Sequence, residues 1–216
     1  MMRKFRLKVE VLRVVLDCAA LFEKNLSHKH ILFVTNSKDN AADFEALFMP
    51  HNFKHLTGAG RKDIDSVVFY NRAIEKRLGV DDIVIDKRGF TDLKLDVLPK
   101  LMSIHNTARM VGDFDGLSEK IVADKFAGTT VSAMGFELSD NIYIPKTALK
   151  ESVSNVTKKA SRSRVIAIFM KEKDADKYKH ITYKAHNVEL KQISEIESLK
   201  DMLEFEKLVI PDSWTS

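Results

Sequence analysis

Apolar residues in the opening stretch MMRKFRLKVEVLRVVLDCAALFEKN recur at helical spacing between charges, which predicts an amphipathic helix over residues 1 to 25. The pattern then shortens. KHILFVTNS and DFEALFMP are apolar or alternating runs separated by the turn-rich KDNAA, and they read as a pair of strands. NFKHLTG, residues 52–58, reads as extending or following the second strand. DIDSVVFYNRAIEKRLG carries Ile64, Val67, Val68, Ala73, Ile74 and Leu78 near helical spacing, so a helix is expected with Asp63 as N-cap and Gly79 as its stop. TDLKLDVLPKLMSIHN predicts another, capped by Thr91 or Asp92 and kinked or interrupted at Pro99. ARMVGDF and KIVADKFAG follow as strands. TTVSAMGFELSDNIYIP places Ser-Asp-Asn between two runs, the composition of a hairpin. KTALKESVSNVTKK starts a short helix, SRVIAIFMKEK and KHITYKAHN form a second hairpin around Asp174 to Lys177, and ISEIESLKDMLEFEKL closes the chain as a helix. This order predicts an α+β fold with a central, mostly antiparallel sheet packed by N-terminal, middle and C-terminal helices, not the strict alternation of a parallel sheet.

Composition narrows the class. With 216 residues, 44% apolar and 31% charged, the chain can bury a sizeable core, and a disordered chain is excluded. One domain over 1–216 is expected, with a core over about 12–190 and the acidic end, about 191–216, as a helical cap. No apolar run is long enough to span a membrane and no secretory leader pattern opens the chain, so a cytoplasmic protein with no membrane partner is expected. Cys18, the single cysteine, lies on the apolar side of the first helix and reads as packing. Lysine plus arginine total 35 against 31 acids, a net charge of +4. That mild excess permits an anionic partner without requiring one.

The densest chemistry stands in NFKHLTGAGRK, residues 52–62. If residues 53 to 57 are extended, the period of two puts Phe53, His55 and Thr57 on one face, with His55 and Thr57 as neighbours. Arg61 and Lys62 would then precede a helix N-terminus, a seat for phosphate for which Asp63 competes. Histidine can take and return a proton near neutral pH, and an adjacent hydroxyl can orient a substrate oxygen. The alternative is a satisfied structural histidine beside a simple turn. The remaining histidines, His28, His30, His51, His105, His180 and His186, show no metal-binding spacing among themselves, so no metal and no cofactor are expected.

Cleaving RNA without metal needs a base for the 2′-hydroxyl, an acid for the leaving oxygen, and cations around the phosphorus. Tyr143, between Ile142 and Ile144, and Thr147, two residues past Pro145 at an expected helix start, are candidates, or else a sheet aromatic and an N-cap. Lys171 and Tyr183 could face a groove or be solvated sheet surface. TKKASRSR gathers Lys158, Lys159, Arg162 and Arg164 with no acid among them, which suits a polyanion backbone or a solvated loop equally.

The run NFKHLTG before a helix, then SEKIVADKFAGTTVSAMGFELSDNIYIPKTAL and the closing RVIAIFMKEK and YKHITYKAHN, resembles the phage-associated Barnase-EndoU-Colicin E5/D-RelE-like nuclease families, in particular the one numbered four. The similarity runs from about Leu12 to Leu190, and His-Leu-Thr-Gly after an aromatic is its sharpest element. The resemblance implies a compact α+β fold used by small metal-independent ribonucleases and toxins of phages and other mobile elements. It transfers to His55 and Thr57 as the proton-transfer pair or polar core of the site; Arg61, Lys62, Tyr143, Thr147 and Lys171 rest on the chemistry above. The expected activity is endonucleolytic RNA cleavage by transesterification, leaving a 2′,3′-cyclic phosphate. RNA, tRNA included, is the expected partner, and an antitoxin or host protein is a second. The alternatives are a catalytically inactive module of the same fold that inhibits a host factor or holds nucleic acid, and an enzyme acting on another phosphate-bearing ligand.

Overall fold

The computed structural model describes residues 2–36, 44–86, 89–117 and 121–211. Helix α1 (Met2–Asn25) turns Val11, Val15, Cys18, Ala19 and Phe22 inward at spacings of three and four, as its amphipathic pattern requires. Burial pushes the Cys18 thiol up to about 12, so it packs as a small apolar side chain. Strands β1 (Lys29–Thr35) and β2 (Phe44–Phe48) pair antiparallel; the intervening KDNAA turn lies outside the described residues.

The segment read as extended is instead a helix, α2 (Pro50–Thr57). Pro50 is pre-set for the first helical turn, the Asn52 side chain accepts from Met49 N at 2.7 Å, and Gly58 ends the helix in the left-handed region at φ 60°. Phe53 and Leu56, three apart, are fully buried, with the Phe53 ring 5.4 Å from Phe22. Burial of both on one helical stripe overrides the alternation seen in the sequence.

Helix α3 (Ser66–Ile74) is capped by Asp65, not Asp63: its carboxylate accepts from Val67 N at 2.8 Å and Val68 N at 3.1 Å. Helix α4 (Phe90–Leu101) takes Gly89 as N-cap rather than Thr91 or Asp92, and carries Pro99 inside its last turn. Thr91 is buried and ties loops together, donating to Gly58 O at 3.0 Å and accepting from Asp86 N at 2.9 Å. A short α5 (Ile104–Thr107) leads to β3 (Met110–Asp113) and β4 (Lys125–Gly128).

Strands β5 (Ala133–Ser139) and β6 (Ile142–Leu149) form the expected hairpin, with Asp140 and Asn141 at positive φ in its two-residue turn. Lys146 to Leu149 remain in β6, so Thr147 stands opposite Gly135 in a strand and not at a helix start; α6 (Val153–Val156) begins later, capped by Ser152. Strands β7 (Ser163–Glu172) and β8 (His180–Lys184) form the second hairpin.

The strands pair in the order β1-β2-β6-β5-β4-β3-β7-β8, and β1 also pairs β7, so the first seven close a circuit of hydrogen bonds. Every pairing between these strands is antiparallel except the single register pair Ala46↔Tyr143 between β2 and β6. The α+β class and the mostly antiparallel sheet are as expected.

Alternation along β1 builds two cores. Ile31 and Phe33 face the main core, beneath α1 to α5, while Leu32 and Val34 face a second core with Ala167 and Phe169 of β7. The C-terminal segment covers the second core through Ile193, Leu199 and Leu203. The single closing helix expected there is replaced by the short α7 (Leu190–Ser194) and 3₁₀ turns at Glu197–Leu199 and Phe205–Lys207. Tertiary burial is met by turns, because each apolar residue reaches the sheet without a continuous helical stripe.

At the rim of the second core, His30 Nδ1 lies 2.8 Å from Glu45 Oε1, and the buried Tyr178 hydroxyl donates to the same oxygen at 2.6 Å. His30 first, then Tyr178 and Lys171, hold the Glu45 carboxyl below its usual 4.5, against a burial that raises it. A depressed folded-state pKa contributes stability that is present above pH 4.5 and lost as pH falls through the lowered value. The unfolding midpoint of the wild type is therefore expected to fall more steeply below pH 4.5 than that of Glu45→Gln, measured by thermal melts across the acid range. Parallel curves would remove Glu45 as the source.

Candidate functional site

His55 occupies the last turn of α2 and keeps solvent access, where α2 packs against α4 and β6. Lys94 of α4 lies across this turn: its Nζ donates to His55 O at 3.1 Å, and its stem passes over Gly58, where an added Cβ would come within 3.0 Å of Lys94 Cδ. Lys146 of β6 approaches from the sheet and is paired with Glu137 at 2.7 Å. His51 stands four residues before His55, hence on the same helical face.

Electrostatics follow from this crowding. Partial burial first, then Lys146, Lys54, Lys94 and His51, pushes His55 below its usual 6.5. Burial likewise lowers Lys94. The result at neutral pH is an uncharged imidazole, able to accept a proton, in the field of Lys146, Lys54 and Lys94, whose ammonium groups bond Glu137, Ile64 O and His55 O.

The structure does not bring the sequence-derived set together. Thr57 is fully buried; its Oγ1 donates to Lys54 O at 2.8 Å and accepts from Ala59 N at 3.2 Å. Two residues along a helix are about 200° apart, so His55 and Thr57 point to opposite sides. Thr57→Val is expected to cost about 1–2 kcal/mol of stability, read by urea unfolding, while nucleic-acid chemistry by the folded fraction is unchanged; unaltered stability with lost activity would return Thr57 to the site.

Arg61 is bound by Asp63, with Nε 2.9 Å from Oδ1, and the hollow beside it is also lined by Asp65 and Asp82. Three carboxylates, one of them the Asp65 cap, make that helix start a poor phosphate seat for Arg61 and Lys62. Tyr143 stacks edge-on against Phe44, centroids 4.7 Å apart, and burial raises its hydroxyl pKa. Thr147 stands opposite Gly135 just past the register shift at Lys146, and a Cβ added to Gly135 would come within 2.8 Å of its Cγ2, so it packs against the sheet. Lys171 donates to Asp176 O at 3.2 Å, lies 3.9 Å from Glu45 and sits over the Tyr178 ring at 4.8 Å, part of the second core's rim. In the basic stretch Lys158 and Lys159 are exposed, but Arg162 turns back onto Thr157 O, with Nη2 at 2.5 Å. Arg164 lines an open hollow with Arg109, Tyr183, Lys184 and His186. Lys94 and Lys146 were missed by sequence reading, since nothing local marks a lysine that meets the histidine only through packing.

Among the described residues no group of three or more His, Cys, Asp or Glu is arranged to hold a metal ion, and no helix is long and apolar enough to cross a membrane.

Fold and site together define an α+β protein whose accessible histidine lies among lysines on a curled sheet. Residues 14–187 match the family described as phage-Barnase-EndoU-ColicinE5/D-RelE like nuclease 4, most of the 216-residue chain. The chain belongs to this nuclease family, as the resemblance of NFKHLTG and the later hairpins implied. No curated protein and no solved structure matches it.

Proposed function

We propose that the chain is a metal-independent endoribonuclease centred on His55, acting in the cytoplasm as a single folded unit of phage or mobile-element origin. The observation that carries this reading is the placement of a solvent-accessible His55 in the last turn of α2, with Lys94 bonded across that turn and Lys146 of β6 and Lys54 close enough, with burial, to push the imidazole below its usual value. Neutral His55 takes the proton of a ribose 2′-hydroxyl; the 2′-oxygen attacks phosphorus and the bond to the 5′-oxygen breaks, leaving a 2′,3′-cyclic phosphate. The departing 5′-oxygen takes a proton from water. Lys94 and Lys146 hold the phosphate oxygens while charge develops on them. Thr57 holds the helix end that presents the histidine.

The test is incubation of the protein with labelled total RNA in EDTA, with fragment end groups resolved. Fragments bearing cyclic phosphate support the reading; intact RNA, tRNA included, from folded protein would sink it. A second reading draws on the pairing of Arg61 with Asp63 and the burial of Thr57, which leave fewer groups for proton transfer. There the chain keeps the fold to bind nucleic acid, an antitoxin or a host factor, and binding survives His55→Ala.

A further inference from the structure

Away from α2, the junction of β3, β7 and β8 holds an open hollow of about 580 Å³ lined by Arg109, Arg164, Tyr183, Lys184 and His186. It adjoins a second of about 610 Å³, which shares Arg109, Tyr183 and Lys184 and adds His105 and Thr182. Among the described residues no aspartate or glutamate lines either one. The Arg109 guanidinium stacks on the Tyr183 ring at 3.9 Å, and its Nη1 donates to Asn106 O at 3.0 Å and Ala108 O at 2.9 Å. Arg164 Nη2 donates to Asn187 Oδ1 at 3.2 Å, and Lys184 Nζ to Val188 O at 2.7 Å. These contacts orient the cations through neutral oxygens and, among the described residues, leave their charge uncompensated.

We infer that this double hollow is a nucleic-acid binding groove that grips the backbone of an RNA strand, separate from the His55 corner. It rests on the reading of the chain as acting on RNA. Two adjoining hollows that share Arg109 and Lys184, with Arg164 on the first, suit an extended polyanion better than a mononucleotide, since successive phosphates can each meet one cation. Arg109 is positioned to bind: held flat on Tyr183 and anchored through one nitrogen, it keeps Nε and Nη2 for a phosphate oxygen. In sequence, Arg164 follows the exposed Lys158 and Lys159 across the loop that precedes β7.

The probe is a fluorescein-labelled single-stranded oligonucleotide with 2′-O-methyl riboses, which transesterification cannot cut. Binding is followed by anisotropy against salt for the wild type, Arg164→Gln and the Arg164→Gln/Lys184→Gln pair. The pair is expected to bind at least about tenfold more weakly, and the slope of log affinity on log salt to drop by about 0.7 for each cation removed. Arg164 is exposed, so its single variant reports even if the pair unfolds, which circular dichroism would reveal. Unchanged affinity and slope in Arg164→Gln, or no binding of the probe by the wild type, overturns the groove. RNA cleavage with an unchanged slope leaves the nuclease reading standing without the groove; probe binding lost in the variants without any cleavage keeps the groove and removes the nuclease.

Discussion

Replacing His55 with alanine is expected to lower RNA cleavage by about 100- to 10,000-fold, the range for loss of a general base, with the unfolding midpoint unchanged. The side chain is exposed, and the bonds that end α2 come from Thr57, Gly58 and Lys94, not from the imidazole. The pH dependence carries the sign of the mechanism. A base works when deprotonated, so the rate should rise with pH and level off through a value below 6.5, because burial and the neighbouring cations depress His55. Lys146 is the foremost charge in that depression. Lys146→Gln should therefore move the acid limb towards higher pH while lowering the plateau, measured as kcat/KM on a short RNA. An acid limb that stays in place would mean that another group is the base.

Phe136→Ala should give the largest loss of stability, about 3–5 kcal/mol for truncating a buried phenylalanine, which for a chain of this size lowers the melting midpoint by about 10 °C. Phe136 is fully buried on β5, and its ring meets Phe44 at 4.9 Å, Phe48 at 6.0 Å and Phe33 at 6.4 Å, all edge-on. It thus joins three strands of the circuit, and no neighbour can fill its volume without leaving the others. Leu138→Ala, two residues along on the same face but near the exposed end of the strand, is the control and should stay close to wild type in urea unfolding. Similar losses in both variants would mean that the aromatic cluster is not the centre of the core.

Much of this architecture could be read from residue spacing. The first helix, both hairpins and the strands around them follow from alternation bounded by turn residues, as in Ser139-Asp140-Asn141. NFKHLTG failed because the eight residues of α2 are too few for a helical period to show against Phe53, His55 and Thr57, which also fit a strand. The correct signal was present at the edges: Pro50 opens the segment and Gly58 closes it, the asymmetry of a helix start and stop. The C-terminal segment failed in reverse, with Ile193, Ile196, Leu199 and Leu203 at helical spacing but reaching the second core from α7 and the short turns after it rather than from one helix. For the candidate site, His55 was legible as an isolated proton carrier. Its lysines were not: Lys94 and Lys146 lie 39 and 91 residues away (94 − 55 and 146 − 55), and only packing of α4 and β6 on α2 unites them.

The pairing of β1 with β7 has a consequence for how the protein comes into being. Lys29 meets Glu172, 143 positions later (172 − 29), so during synthesis the first strand must wait for most of the chain before its second neighbour leaves the ribosome. Contacts of such long range slow folding relative to a helical bundle, because the intervening loop must be closed before they return any stabilisation. The last residues of the second core, Leu199 and Leu203, come later still. A nuclease assembled in this way cannot close its circuit of strands until residues 163–172 have left the ribosome, so its fold forms late relative to its first helix and strands.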